Sequence, residues 1–121
     1  MGELTGKRVL IVEDQYFIAD DLRRAFSAAG AEVIGPFPSA ALALTAVFDD
    51  LDFAVVDINL NGGDGLRVAE VLRRQGTPFA FATGYARYTI PRKFQSVPHF
   101  EKPYSLQRVV ATVEQTLRNL A

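Results

Sequence analysis

One short stretch decides the fold of this chain: Phe53-Ala54-Val55-Val56-Asp57. An apolar run of this length, rich in valine and aromatic residues, is typical of a strand buried on both faces. The run ends in a carboxylate, and Asn59 and then Gly62-Gly63-Asp64-Gly65 follow it. Open α/β sheets bind their ligands at the carboxyl ends of their strands. Asp57 is therefore the first candidate functional residue.

The composition is that of a globular domain. A chain of 121 residues is long enough for one core, and its 49% hydrophobic content argues against disorder. The net charge of -1 gives neither the basic surface of a nucleic-acid-binding protein nor a polybasic membrane patch. The absence of cysteine excludes disulfides and thiolate chemistry. No signal peptide or membrane span is visible, so we expect a cytoplasmic monomer with no nucleic-acid or membrane partner.

Short apolar runs alternate with longer amphipathic stretches along the chain. The predicted strands are residues 8–12, 32–35, 53–56, 79–82 and 99–100. The predicted helices are residues 16–29, a helix capped by Ser39 that runs through Phe48, residues 65–75, and a last helix capped by Ser105. This alternation predicts a parallel sheet with helices on both faces. We expect residues 1–121 to form one domain, with no effector domain attached.

The stretch between the fourth and fifth predicted strands departs from this pattern. A helix is expected there, but Pro91 lies within residues 86–97 and disfavours a long regular helix. We therefore expect this segment to be short, irregular or mobile.

Acidic residues follow two strands that a parallel sheet can place side by side. Glu13 and Asp14 come directly after the first strand, and Asp57 ends the third. Three clustered carboxylates repel one another, and oxygen ligands without histidine or cysteine favour Mg²⁺. Asn59 could add its backbone carbonyl to the metal ligands. The alternative is that Glu13 and Asp14 lie in a solvated loop, with Asp14 capping the helix that follows.

Two more polar residues stand at the ends of later strands. Thr83 and Gly84 follow the fourth predicted strand, and Lys102 and Pro103 follow the fifth. Each alone is typical of an ordinary turn or loop. Together with the acids they bring a hydroxyl and an ammonium to the same edge of the sheet, which is a rarer combination.

This constellation resembles the receiver domain of two-component response regulators over essentially the whole chain. The matching motifs are Val12-Glu13-Asp14, Asp57-Ile58-Asn59-Leu60 with Gly62-Gly63-Asp64-Gly65, Ala82-Thr83-Gly84 and Glu101-Lys102-Pro103. The resemblance implies a flavodoxin-like, doubly wound sheet of five parallel strands in the order 2-1-3-4-5.

The resemblance also implies a role for each site residue. Asp57 would accept a phosphoryl group from the phosphohistidine of a sensor histidine kinase or a phosphotransfer protein. Glu13, Asp14 and Asp57 would hold Mg²⁺ with the Asn59 carbonyl. Thr83 and Lys102 would bind the phosphoryl oxygens, and Gly84 would leave space beside them.

The same resemblance implies the kind of output. We expect no enzymatic activity beyond the protein's own phosphorylation and dephosphorylation. The signal would pass to a downstream protein partner, or the domain would drain phosphate from a kinase. The candidate contact surfaces are the last helix and three aromatic residues expected to be exposed, Tyr85, Tyr88 and Phe94.

Some positions depart from the common receiver pattern. His99 stands where most receivers have Phe or Tyr as a switch residue, three positions before the lysine. His99 could replace that aromatic ring or be merely exposed, and Tyr85 is a second candidate replacement. Asn61 replaces a common proline, which predicts a more pliable loop after Asp57.

The stretch Pro78-Phe79-Ala80-Phe81-Ala82-Thr83-Gly84-Tyr85 looks like the signature of a receiver subfamily. That subfamily has a Phe-Ala-Thr-Gly motif and an atypical fourth helix, and it is found largely in alphaproteobacteria. Its members are often linked to general stress or light signalling, and they commonly pair with kinases of the HWE or a related class.

Three other functions would require different residues or a different chemistry at this edge of the sheet. An aspartate-nucleophile phosphatase needs a second aspartate where this chain has Asn59, which cannot exchange protons in that role. A flavin- or nucleotide-binding module would need a phosphate-binding loop where Glu13 and Asp14 stand. A receiver-like module that is never phosphorylated remains open, although the complete set of site residues argues against it.

Overall fold

The computed structural model describes residues 2–60 and 63–120 and contains one five-stranded sheet. All strand pairs are parallel, and the order is β2-β1-β3-β4-β5, as predicted. The strands are β1 (Arg8–Val12), β2 (Glu32–Phe37), β3 (Phe53–Val56), β4 (Phe79–Thr83) and β5 (His99–Glu101). The flavodoxin-like arrangement is therefore confirmed, and the carboxyl ends of β1, β3, β4 and β5 lie side by side.

Four α-helices pack around the sheet in the described part of the chain. They are α1 (Tyr16–Ala28), α2 (Ala40–Leu44), α3 (Gly65–Gln75) and α4 (Leu106–Leu120). Both predicted serine caps are present, since Ser39 Oγ accepts from Leu42 N and Ser105 Oγ accepts from Arg108 N. None of these helices, over residues 2–60 and 63–120, has the length and apolar character needed to cross a membrane.

Helix α2 is shorter than predicted. We expected it to continue through Phe48, but it ends at Leu44 and the chain then turns. Thr45 explains the change, because its backbone N–H and its hydroxyl both donate to the carbonyl of Leu42. A hydroxyl that competes for a backbone carbonyl favours a turn over further helix.

Side chains alternate between two cores on opposite faces of the sheet. In β1, Val9 and Ile11 face the core beneath α1 and α4, whereas Leu10 and Val12 face the core beneath α2 and α3. Strands buried on both faces need apolar residues at every position. This explains the uninterrupted apolar runs from which the strands were predicted.

The segment of residues 86–97 contains two short 3₁₀ turns, Arg87–Thr89 and Arg92–Phe94. The prediction of an irregular fourth helix is thus confirmed. Phe94 is buried, with 1% of its surface exposed, and its ring packs edge-to-face against Phe79 and Phe81.

The expectation that Phe94 is an exposed contact residue is therefore wrong. Its ring turns inward into the core with Ile90 and Val97 of the same segment, and the guanidinium of Arg73 covers it at 4.9 Å from the ring centroid. Tyr85 and Tyr88 are exposed as expected, by 44% and 88%.

Candidate functional site

Three acidic side chains meet at the carboxyl edge of the sheet. Glu13 follows β1 and Asp57 follows β3, and these two strands are neighbours. Carboxylate oxygens of Glu13, Asp14 and Asp57 all lie within 4.8 Å of one another. Glu13 and Asp57 are buried and Asp14 is half-buried. The predicted convergence of the three acids is present. The N-cap of α1 is Gln15 rather than Asp14.

The backbone fixes the Asp57 carboxylate in place. Asp57 N donates to Val12 O at 2.9 Å, which extends the pairing of β3 with β1 by one residue. Asn59 N then donates to Asp57 Oδ1 at 3.0 Å. The carboxylate is therefore held by its own following turn, and its second oxygen remains available to other groups.

Gly65 matters here because it packs directly against the backbone of Asp57. A Cβ atom at position 65 would lie 2.1 Å from the Asp57 carbonyl oxygen and 2.6 Å from Ile58 Cα. Only a glycine therefore allows α3 to begin this close to the end of β3. Asn61 and Gly62, which the sequence placed in the same loop, lie outside the described residues.

The Lys102 ammonium connects the two buried acids. Lys102 Nζ lies 2.8 Å from Asp57 Oδ2 and 2.9 Å from Glu13 Oε1. Its backbone N–H donates to Thr83 O at 2.8 Å, which links the ends of β5 and β4. Lys102 is thus positioned by the sheet and provides the positive charge among the three carboxylates.

Burial and charge perturb the titration of this cluster. Desolvation raises the pKa of Glu13 to about 7, and the negative charge of Asp57 adds to that effect. Desolvation also lowers the pKa of Lys102, but its hydrogen bond to Asp57 and its ion pairs with Asp57 and Glu13 outweigh this and leave the pKa raised. The raised pKa of Glu13 reflects the cost of burying three carboxyl groups beside a single lysine.

Gln15 belongs to the site, although no sequence pattern points to it. Its side-chain carbonyl accepts from Lys102 Nζ at 2.6 Å, and its backbone N–H donates to Glu13 Oε2 at 3.0 Å. A glutamine after an acid pair carries no distinctive signal, and its partner is 87 residues away in sequence. Only its place next to Glu13-Asp14 could have suggested it.

The donor set suits a hard divalent cation. All three acids offer oxygen ligands, and Glu13 Oε1 accepts no hydrogen bond of good geometry despite its closeness to Lys102. A cavity of about 360 Å³ opens beside them. Its lining residues are Asp14, Gln15, Asp57, Asn59, Gly84 and Lys102. An added cation would relieve the repulsion among the carboxylates and has room to keep water ligands.

Thr83 and Gly84 differ in how they meet this cavity. Thr83 is fully buried, its hydroxyl accepts from Tyr85 N at 3.3 Å, and it is not among the described residues that line the cavity. Gly84 does line it, and a Cβ at position 84 would meet no heavy atom within 4 Å. The space beside Gly84 is therefore open.

The remaining candidate residues lie at the rim. Tyr85 is exposed, and its carbonyl is 2.9 Å from His99 Nε2. Pro103 is exposed and lines a neighbouring groove of about 410 Å³ between α1 and the start of α4. Tyr104 lines that groove too, and burial together with the nearby acids raises the pKa of its phenol.

Comparison with known proteins identifies the family. The sequence profile of the response regulator receiver domain matches residues 9–114. This chain belongs to that family. It is a receiver domain of two-component response regulators, with the buried acidic cluster typical of their phosphorylation site. A search of curated protein sequences found no significant match.

Solved structures share the fold. The solution structure of SdrG from Sphingomonas melonis Fr1 is 34% identical with a TM-score of 0.78, over 98% of this chain and 99% of that one. The N-terminal domain of a response regulator/sensory box/GGDEF 3-domain protein from Carboxydothermus hydrogenoformans is 28% identical (TM-score 0.75), over 94% and 96% of the two chains. A CheY-like receiver domain protein from Methanospirillum hungatei JF-1 is 22% identical (TM-score 0.79), over 93% and 94%.

Proposed function

We propose that Asp57 of this receiver domain accepts a phosphoryl group from a phosphohistidine. The observation that carries the proposal is the position of its carboxylate. It is buried at the end of β3, faces an open cavity, and has the Lys102 ammonium 2.8 Å away. A carboxylate held in this way can act as a nucleophile while a nearby cation offsets the charge that arrives.

Mg²⁺ is the cation we propose for this reaction. Glu13, Asp14 and Asp57 would supply carboxylate oxygens, and Asn59 would supply its backbone carbonyl. The bound ion would offset the negative charge of the incoming phosphoryl oxygens. The excess of three carboxylates over one ammonium supports this assignment.

The proposed transfer is a single displacement at phosphorus. An Asp57 carboxylate oxygen forms the new P–O bond while the P–N bond to the donor imidazole breaks, and the electron pair returns to the imidazole nitrogen. Lys102 then pairs with a phosphoryl oxygen, and the Thr83 hydroxyl and the Gly84 N–H donate to the others. The acyl phosphate adds roughly two negative charges beside Asp57 at neutral pH.

The proposed output follows from this change in charge. The loops after β3 and β4 respond to it, and the exposed Tyr85 and Tyr88 lie in or next to the second of them. The domain then controls a partner protein or drains phosphate from a kinase, and it catalyses only its own phosphorylation and dephosphorylation. The resemblance to the Phe-Ala-Thr-Gly subfamily makes kinases of the HWE class the first donors to test.

An Asp57→Asn substitution tests the acceptor. Protein incubated with Mg²⁺ and radiolabelled phosphoramidate is expected to gain phosphate that is labile to acid and base, and Asp57→Asn is expected to gain none. Asp64→Asn is the matched control, because Asp64 is exposed in the same loop and makes no side-chain capping bond. Undiminished labelling of Asp57→Asn would show that another residue is the acceptor.

A non-covalent mimic tests the switch. Mg²⁺ with beryllofluoride is expected to shift amide resonances between Thr83 and Lys102 in the wild-type protein. Omitting Mg²⁺ should abolish these shifts, because the carboxylates then repel the fluoride ligands. Unchanged spectra under saturating conditions would argue against phosphoacceptor function.

A further inference from the structure

The basic residues are unevenly distributed along the chain. Residues 65–100 contain six basic residues and one acidic residue, whereas the rest of the chain contains seven basic and thirteen acidic residues. All six basic residues are exposed, and they are Arg67, Arg73, Arg74, Arg87, Arg92 and Lys93. The net charge of -1 for the whole chain therefore does not reveal a strongly positive region.

Helix α3 and the segment of residues 86–97 bring these charges together. Both elements pack on the same side of the sheet, whereas α1 and α4 pack on the other. Arg73 donates to Lys93 O, and Lys93 Nζ lies 3.2 Å from Glu70 Oε1. We call the exposed side chains of α3 and of this segment the basic face. A cleft of about 250 Å³ opens between the two elements, and it is lined by Glu70, Arg73, Arg74, Lys93 and Phe94.

The charges of the basic face are largely uncompensated by carboxylates. Outside this face, five of the seven basic side chains form an ion pair with a carboxylate of the described residues. Within it, Lys93 alone does so among the described residues, while Arg73 and Arg87 donate to backbone carbonyls. Three side chains make no hydrogen bond or ion pair within residues 2–60 and 63–120, namely Arg67, Arg74 and Arg92.

The stability of α3 does not account for Arg67. This residue lies in the first turn of the helix, where the positive end of the helix dipole disfavours a cation. Arg74 lies in the last turn, where the dipole favours a cation. Arg67, Glu70 and Arg74 are spaced to share one side of the helix, with the two arginines about 10 Å apart along its axis. The charge of Arg67 costs helix stability without an internal partner, which favours a role in binding.

We propose that the basic face binds an acidic, amphipathic segment of a partner protein. Guanidinium groups match carboxylates in shape as well as in charge, so Arg67 and Arg74 suit acidic side chains on such a segment. The cleft beside Arg74 has Phe94 among its lining residues and suits an apolar side chain. Glu70, which lies between the two arginines on α3, suits a hydrogen-bond donor of the partner.

The same features disfavour a nucleic acid or an anionic membrane as the occupant. Both present negative charge at closely spaced positions, so Glu70 would face a phosphate. The thirteen acidic residues outside the region also repel a long polyanion. None of the residues that line the cleft lines the cavity beside Asp57. The proposed interaction therefore stands whether or not Asp57 accepts a phosphoryl group.

The test measures binding of a fluorescein-labelled synthetic helix of Glu, Leu and Ala by fluorescence anisotropy at low ionic strength. The wild-type protein is expected to bind it saturably, and added salt should weaken the binding. Arg67→Glu combined with Arg74→Glu should weaken it about ten-fold or more. The matched control is Lys7→Glu combined with Arg108→Glu, because both residues are exposed, lie outside the basic face and give the same change in net charge. This control should weaken binding less than about two-fold.

Thermal unfolding of both double variants should stay close to that of the wild type. If the glutamates destabilise α3, Arg67→Gln combined with Arg74→Gln removes the charge alone and should weaken binding about three-fold. Equal weakening in the basic-face and control variants would overturn the proposal, since net charge would then explain the binding. Absence of saturable binding by the wild type would overturn it as well. Tighter binding of duplex DNA or of phosphatidylglycerol vesicles than of the synthetic helix would refute a protein segment as the occupant.

Discussion

The acidic cluster and the segment of residues 86–97 are both irregular backbone next to the same sheet, yet they are held in different ways. In the cluster, main-chain bonds of Asp57, Asn59 and Lys102 extend or follow the strand pairing. The charged side chains of the cluster project from this hydrogen-bonded backbone and contact one another. The segment instead depends on side chains that reach its backbone. The functional side chains are therefore positioned by the backbone of the sheet. The segment of residues 86–97, which replaces a helix, depends instead on a few individual side chains.

The contacts of the segment show this dependence in detail. Short 3₁₀ turns leave carbonyls without helical partners, and buried or half-buried carbonyls need a donor. Arg87 donates to the carbonyls of Gln95 and Val97, and Gln95 Nε2 donates back to Arg87 O and Ile90 O. Arg73 donates to Lys93 O while covering the Phe94 ring. A few side chains make all of these hydrogen bonds, so a single substitution among them should disturb the structure of the whole segment.

The largest expected effect is the loss of the Phe94 ring. Phe94→Ala leaves a cavity beside the packed rings of Phe79 and Phe81 and should lower the free energy of unfolding by about 3 kcal/mol. The measurement is urea unfolding monitored by circular dichroism. Tyr88→Ala, in the same segment but 88% exposed, should change stability by less than about 0.5 kcal/mol. Equal losses in the two variants would mean that Phe94 does not anchor the segment.

The second effect concerns the frame of the site. Gly65→Ala forces a methyl group against the Asp57 carbonyl, which should cost about 2 kcal/mol in the free energy of unfolding. Gly84→Ala meets open space and should leave stability unchanged while slowing phosphorylation, because its methyl group narrows the cavity beside Asp57. Paired unfolding and phosphoramidate assays separate the two outcomes. A destabilised Gly84→Ala would contradict the open space beside the cavity.

The third effect tests repulsion among the acids. Asp14→Asn lowers the excess negative charge and should raise the free energy of unfolding in EDTA by about 1 kcal/mol. In millimolar Mg²⁺ the wild type should gain stability and the variant should gain less. Urea unfolding in both buffers measures this difference, with the exposed Asp49→Asn as control. If Mg²⁺ raised the free energy of unfolding equally in wild type and Asp14→Asn, Asp14 would not be a ligand of the metal.

The smallest expected effect is that of Arg87→Lys in the segment of residues 86–97. Arg87→Lys loses the forked donation to Gln95 O and Val97 O and should weaken the local structure by about 0.5 kcal/mol. Hydrogen exchange of residues 86–97 should rise about two-fold, and exchange near Asp57 should stay constant. The exposed Arg92→Lys is the control. A simultaneous rise around Asp57 would show that the segment and the cluster are one cooperative unit.

Much of the cluster could be predicted because it follows strand ends. Once 53–56 is recognised as a buried strand, Asp57 must stand at its carboxyl end, and the same reasoning locates Glu13, Thr83 and Lys102. The location of Thr83 at a strand end was therefore predictable, but its burial away from the cavity was not. The proximity of Gly65 to the Asp57 carbonyl was also not visible, because a glycine before a helix has several ordinary explanations.

The segment was predictable only as an exception. Pro91 in residues 86–97 indicated an irregular element, but the inward turn of Phe94 depended on its packing against Phe79 and Phe81 of β4. The early end of α2 depended in the same way on a local choice, since the Thr45 hydroxyl bonds to Leu42 O instead of to solvent.

The sequence by itself determined the alternation of strands and helices, the order of functional groups along the carboxyl edge, and the family. These follow from local periodicity and from residue types at strand ends. Only the tertiary structure decided which groups touch: Gln15 with Lys102, His99 with the Tyr85 carbonyl, and Phe94 with Phe79 and Phe81. Such contacts join residues far apart in the chain, and their geometry depends on how the elements pack against one another.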